Sequence, residues 1–235
     1  MRILSAIKFD IRFQIRHGFY YAYLFISVLY ILLLRVLPEG VREYVAAYII
    51  FSDPSALGFF FIGGIILMEK GQSIFENLFV TPFKPWEYLL SKVFTLTMLA
   101  LVSSLLIVIA SVGFDINFPV LVTGIVLSSV FFTLLGLTLA FISKTVNQYF
   151  ISAALYMPVL FLPVLEFLGI YTTPIFNFLP TKPSLLLLQG AFSGISGVDF
   201  IYSLAVFILW IVIASIWAYS WFIKYIILGI GGGSK

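Results

Sequence analysis

Charged residues fall along this chain in clumps separated by long apolar runs. No Asp, Glu, Lys or Arg occurs in residues 17–34, 93–114, 116–143, 145–165 or 200–223, and residues 44–68 carry one charge, Asp53. A helix needs about 20 apolar residues to cross a hydrocarbon core about 30 Å thick, and all six stretches are of that order. The runs are continuous, whereas a membrane β-barrel needs strands of about 10 residues with alternating polarity. The pattern predicts an all-α membrane protein with six transmembrane helices.

Between and before the spans, shorter elements can be read. In residues 2–16, Arg2, Ser5, Lys8, Arg12 and Arg16 share one side of a helical wheel, while Ile3, Leu4, Ile7, Ile11 and Ile15 share the other, with Asp10 intruding. This predicts an N-terminal amphipathic helix lying on the membrane surface. The first span, about 18–37, ends at Pro38. The second is interrupted by Ser52-Asp53-Pro54, because proline removes a helical hydrogen bond and disfavours helix in the residue before it. The third and fourth, about 92–113 and 118–143, are joined by a tight turn. The fifth, about 149–168, holds Pro158 and Pro163 and should kink. The sixth covers about 199–223. In the long segment 169–198, the apolar stretch Pro183–Gly190 makes roughly 15 Å of helix. That is half a bilayer, so it should dip in and return as a re-entrant helix or lie on the outer surface. One domain, 1–228, is expected, with 229–235 as a flexible tail.

Composition and charge sharpen this picture. Hydrophobic residues make up 62% and charged residues 10% of the 235, against about 25% charged in soluble domains, which excludes that class. With no Cys and one His, His17, disulfides, thiolate chemistry and His-based zinc sites are excluded, and no metal is expected. With the N-terminus inside and six spans, 10 Lys and Arg fall on the cytoplasmic side and 3 (Arg35, Arg42, Lys182) outside. That bias puts both termini in the cytoplasm of a multi-pass cell-membrane protein. The chain has no phosphate-binding Gly-x-x-x-x-Gly-Lys loop and no carboxylate pair beside a His or Ser. It is therefore expected to be no enzyme, to bind no cofactor and to meet no nucleic acid. Uphill transport would draw on a partner or an ion gradient.

The loop between the second and third spans is the most informative. Ser73 and Glu76 have the spacing of a capping box, and Thr81-Pro82 stops a helix over 73–80 that carries Ile74, Phe75, Leu78 and Phe79 on one face. Pro85 fits the first turn of the third span. So short a helix is not stable alone. Its apolar face must be covered by the membrane, by its own bundle or by another protein.

This loop resembles the signature of ATP-binding-cassette type-2 transporter permeases. There a Glu leaves the second span, a second Glu follows in a short helix, then Thr-Pro, then Tyr-Leu-Leu-x-Lys; the positions here are Glu69, Glu76, Thr81-Pro82 and Tyr88 to Lys92. Ser73-Ile74-Phe75 departs from the Gly-Thr-Leu or Gly-Val-Leu usual in that family. Further matches, Arg16–Tyr23, Leu34–Pro38 and Phe51–Ser55, are similar to fluoroquinolone-export permeases. The resemblance implies a separate ABC ATPase chain carrying ATP and Mg2+, and a dimer with a second permease copy or a paralogue. It also implies a small amphipathic, drug-like substrate, and helix 73–80 as a coupling helix seated in the ATPase.

Several residues carry two readings. Asp53, roughly 24 Å up the second span from Glu69, sits where a carboxylate is penalised by about 2.5–3.5 kcal/mol. It either lines a polar cavity or caps the helix that restarts at Pro54. Phe59 and Phe60, with Tyr156 and Met157, are candidates for an aromatic-lined substrate cavity, or face lipid and core. Arg35 and Glu166 either snorkel to headgroups or form an outer-gate ion pair. An ion-coupled transporter or channel using Asp53 and Glu166, or a non-transporting membrane assembly subunit, are the alternatives to an ATP-driven exporter.

Overall fold

The computed structural model describes residues 2–52, 58–79 and 84–228, with the backbone alone at 77–79. Asp53, Pro54, Thr81, Pro82 and the tail 229–235 lie outside the described residues. The elements run α1 (Arg2–Arg16), α2 (Phe19–Val36), α3 (Glu39–Ser52), α4 (Phe59–Gly71), α5 (Ile74–Phe79) and α6 (Pro85–Ser111). They continue with α7 (Phe118–Ile142), α8 (Val146–Phe161), α9 (Val164–Phe167), a 3-10 turn (Pro174–Phe178), α10 (Thr181–Ser193) and α11 (Gly197–Phe222), which ends in a π-wound turn, Ile223–Ile227.

Among the described residues four helices are long and apolar enough to cross a membrane: α2, α6, α7 and α11 with its π-turn. The predicted second span is two helices, α3 and α4. The predicted fifth is α8, 16 residues or roughly 24 Å, followed by α9. Pro158 is tolerated inside α8, and the helix breaks instead at Leu162 and Pro163.

The starts of the long helices are set by local chemistry. The Asn117 side chain accepts from the Val120 N–H (3.3 Å), Thr145 from Gln148 (3.2 Å) and Ser196 from Asp199 (3.1 Å). Each satisfies a backbone donor left over at a helix N-terminus. Pro85 opens α6 as predicted, and Glu87 accepts the Lys84 N–H at 2.8 Å. Several C-termini are closed by cations from neighbouring segments. Arg42 donates to the Leu34 and Leu37 carbonyls at the end of α2 (3.1 and 3.0 Å), and Arg35 to Ala110 O near the end of α6 (3.0 Å). Lys70 donates to Ala140, Phe141 and Ser143 carbonyls at the end of α7, at 2.8–2.9 Å. Orphan carbonyls are costly away from water, and a cation there also suits the negative end of the helix dipole.

α7 is the hub, with α4, α6, α10 and α11 packed around it, and Phe131, Phe132, Phe141, Ile125 and Leu137 fully or almost fully buried. Close approach of α4, α7 and α8 depends on two glycines. A Cβ on Gly63 would run into the Tyr149 ring, and one on Gly136 would come within 2.9 Å of Phe59 O. Tyr149 is pinned there by its hydroxyl, which donates to Phe59 O at 2.7 Å.

α10 has 13 residues, roughly 20 Å, too short to cross. It is buried against α3, α7 and α11 and not laid on an outer surface. It runs antiparallel to α7: Ala191 O accepts the Asn117 N–H at 2.9 Å, Leu187 and Leu188 face Gly124, and Ser184 meets Ser128 at 2.6 Å. It thus begins roughly 15 Å along α7 and runs back to its start.

Because Tyr149 is held by both a hydrogen bond and packing, Gly63→Ala should lower stability by about 1–3 kcal/mol. Gly40→Ala, whose added methyl meets nothing within 4 Å, should not. Thermal unfolding of the two variants in one detergent checks this; equal melting temperatures would contradict the packing described.

Candidate functional site

Among the described residues, the deepest concentration of charge lies where α1, α4 and α6 meet. Lys92, one-quarter of the way along α6, is 0% exposed, and so is Glu69 at the end of α4; Asp10 of α1 is 3% exposed. The Lys92 ammonium contacts Asp10 Oδ1 at 2.5 Å and also pairs with Glu69 Oε1. The Tyr88 hydroxyl donates to the other Glu69 oxygen. One turn along each helix, Gln14 donates to Thr95 Oγ1 at 3.0 Å. The rings of Tyr88 and Phe13 lie 5.1 and 5.9 Å from the ammonium, favourable ground for a desolvated cation. Two carboxylates thus share one ammonium. Asp10 Oδ2 and Gln14 Oε1 are buried acceptors without a hydrogen-bond partner, so the node is rich in acceptors.

Glu69, Tyr88 and Lys92 were legible from the loop signature; Asp10 was not. The sequence reading takes it as an intrusion into a lipid-facing stripe. In the structure Asp10, Phe13 and Gln14 form the buried side of α1, packed on α6, whereas Leu4, Phe9 and Ile15 are exposed. The wheel therefore has three sides, one for protein, one apolar and outward, one basic. The available signal was the pair Asp10 and Gln14, four residues apart and off the basic stripe.

Helix α5 is turned differently from the expectation. Phe75 is 3% exposed, its ring 5.5 Å from that of Tyr88 and 6.1 Å from that of Phe222 in α11. It anchors α5 to its own bundle, one of the three covers open to that apolar face. Ile74 is half-buried and Glu76 exposed; the side chains of Leu78 and Phe79 lie outside the described residues. Ser73 precedes the helix with φ +52°, a left-handed backbone and not the extended one of an N-cap. The chain turns a tight corner there, closed by the Ser73 N–H donating to Lys70 O at 3.2 Å. The loop is also tied to α1: Gln72 and His17 meet at 3.3 Å, and the His17 ring lies on Phe13.

The candidate cavity residues do not share one surface. Phe59 and Met157 are buried, Phe60 stacks on Phe150 at 5.5 Å, and Tyr156 is 62% exposed. Arg35 and Glu166 do not pair with each other. Arg35 caps α6 as described above, and Glu166 takes Lys182 at 2.6 Å. No group of three or more His, Asp or Glu suited to a metal occurs among the described residues.

The chain is 28% identical over 196 residues to two curated relatives, both named fluoroquinolones export permease protein, from the CDC 1551 and H37Rv strains of Mycobacterium tuberculosis. The alignment covers 83% of this chain and 83% of each relative. A family model, that of the fluoroquinolones export permease proteins, matches residues 1–229. An all-helical multi-pass membrane protein matched over nearly its whole length, this chain belongs to that family of export permeases.

Proposed function

We propose that the chain is the membrane subunit of an ATP-driven exporter of small amphipathic compounds, with ATP and Mg2+ held by a separate ABC ATPase. In this reading α3 with α4, and α8 with α9, complete six crossings of the cell membrane, and both termini are cytoplasmic. Two permease chains, identical or paralogous, enclose the route. The ATPase grips α5 from the cytoplasm, and its closure on ATP biases the permease between inward-open and outward-open forms.

One observation carries the reading: an unbroken path of contacts leads from α5 into the bundle. Phe75 packs on Tyr88, Tyr88 bonds Glu69, Glu69 pairs with Lys92, and Lys92 pairs with Asp10. Separating a buried ion pair strands a desolvated charge, at about 3–5 kcal/mol. The inner ends of α4 and α6, together with α1, should therefore move as one piece when α5 is pushed. The exposed edge of α5, including Glu76, is left for the ATPase, while Phe75 transmits the push inward.

The partner is tested by isolating the tagged chain from native membranes under mild detergent and identifying what comes with it. An ABC ATPase is expected, in reduced amount with Glu76→Lys at unchanged melting temperature. A permease recovered as its own oligomer, free of any ATPase, would overturn the reading.

The node itself predicts an ordering of stabilities. Lys92→Met leaves two carboxylates buried without their cation and should cost about 3–5 kcal/mol. Asp10→Asn, which removes one of the two negative charges and keeps an acceptor for Lys92, should cost far less. Phe75→Ala empties a buried aromatic site and should cost about 3–5 kcal/mol. Melting temperatures of the three variants in one detergent decide; Asp10→Asn as damaging as Lys92→Met would contradict the charge balance.

A further inference from the structure

Helix α1 has a second side that no protein group covers. Asp10, Phe13 and Gln14 are its buried side, and Asp10 and Gln14 reach Lys92 and Thr95 of α6. Lys8, Arg12 and Arg16 stand on the other side, all three exposed. Residues four apart stack along one helix face, so these cations form a strip, with Arg12 pointing about 200° away from Asp10. Asp10 is the only carboxylate in residues 2–16, and it faces inward to Lys92. Among the described residues none of the three cations forms an ion pair. Exposed apolar side chains border the strip, Leu4 and Ile15 along one edge and Phe9 along the other.

The height of the strip is set by α6, a helix long and apolar enough to cross the membrane. Within two turns of Lys92 and Thr95, α6 exposes Trp86, Leu90 and Phe94 along one line. Trp favours the headgroup level, and Leu90 and Phe94 begin the lipid-facing side. Helix α1 is therefore docked at the border between headgroups and hydrocarbon, with unpaired cations beside apolar side chains. A zwitterionic leaflet has no net charge to set against three cations, and an acidic protein surface would leave the apolar edges unmatched. We propose that this side of α1 binds anionic phospholipid, with headgroup phosphates along Lys8, Arg12 and Arg16 and acyl chains against Leu4 and Ile15. Each Lys or Arg near an anionic leaflet strengthens attachment about fivefold, and salt screens the effect. That the leaflet is the inner one rests on the cytoplasmic N-terminus proposed above; the lipid preference does not, and it holds however transport is powered.

The chain has no cysteine, so Leu4→Cys labelled with bimane reports on this side of α1 alone. The labelled full chain is placed in phosphatidylcholine nanodiscs holding a small fraction of phosphatidylglycerol or of phosphatidylcholine with a nitroxide on its acyl chain, and quenching is read. The phosphatidylglycerol quencher should act at about fivefold lower content or less, and the difference should shrink in ~0.5 M salt. Lys8→Gln, Arg12→Gln and Arg16→Gln combined should bring the two lipids to parity. Melting temperatures of the same samples verify folding, and Arg12→Gln alone, which should reduce the preference, serves if the combined variant does not fold. Equal quenching by the two lipids before substitution, or an undiminished preference in the folded variant, overturns the proposal. So does quenching by neither lipid, which would mean that protein covers α1. Both leaflets of a nanodisc are alike, so this result is independent of orientation. Labelling of Leu4→Cys by an impermeant maleimide in intact cells would sink the cytoplasmic N-terminus alone, and a lost lipid preference would sink the binding surface alone.

Discussion

A single ammonium group, removed from water and shared by two carboxylates, fixes the arrangement of this protein's charged end. Lys92 sits inside a helix that must otherwise lie in hydrocarbon, and it is affordable there only because Asp10 and Glu69 come to it from two other helices. The same constraint positions the rest. Glu69 sets the depth at which α4 ends, Asp10 holds α1 against α6 instead of leaving it to float on lipid, and Tyr88 binds Glu69 while backing Phe75. The membrane supplies no hydrophobic force between helices already in lipid. Polar contacts that cannot be made elsewhere therefore specify which helix meets which, and where.

Much of the fold follows from rules that act locally. The limits of α7 and α11, and the far end of α6, could be read from charge spacing because the bilayer imposes a length; α6 itself begins at Pro85, seven residues before the predicted span. The half-length of α10 was visible because the apolar run around it is too short to cross. Pro85 at the head of α6 has the only kind of position in a helix that costs it no hydrogen bond. These features depend on neighbours a few residues away.

What escaped the sequence depends on partners far away along the chain. Asp10 lies 82 residues from Lys92, and nothing near it distinguishes a stray carboxylate from an ion partner. The apolar side of α5 could be covered by its own bundle or by a second protein with the same pattern, and Phe75 went inward because Tyr88 and Phe222 leave a place for its ring. Arg35 and Glu166 do not share a partner: one takes a backbone carbonyl and the other Lys182.

The cations that close foreign helix ends have a bearing on how the protein responds to its lipid. Arg35, Arg42 and Lys70 count toward the charge asymmetry that orients a membrane chain, yet their side chains are engaged with peptide carbonyls. They are fasteners first. The exposed cations Lys8, Arg12 and Arg16 sit together on α1, on the one helix bolted to Lys92 by its opposite side. A leaflet that pulls on those exposed cations would thereby act, through α1, on the buried ammonium.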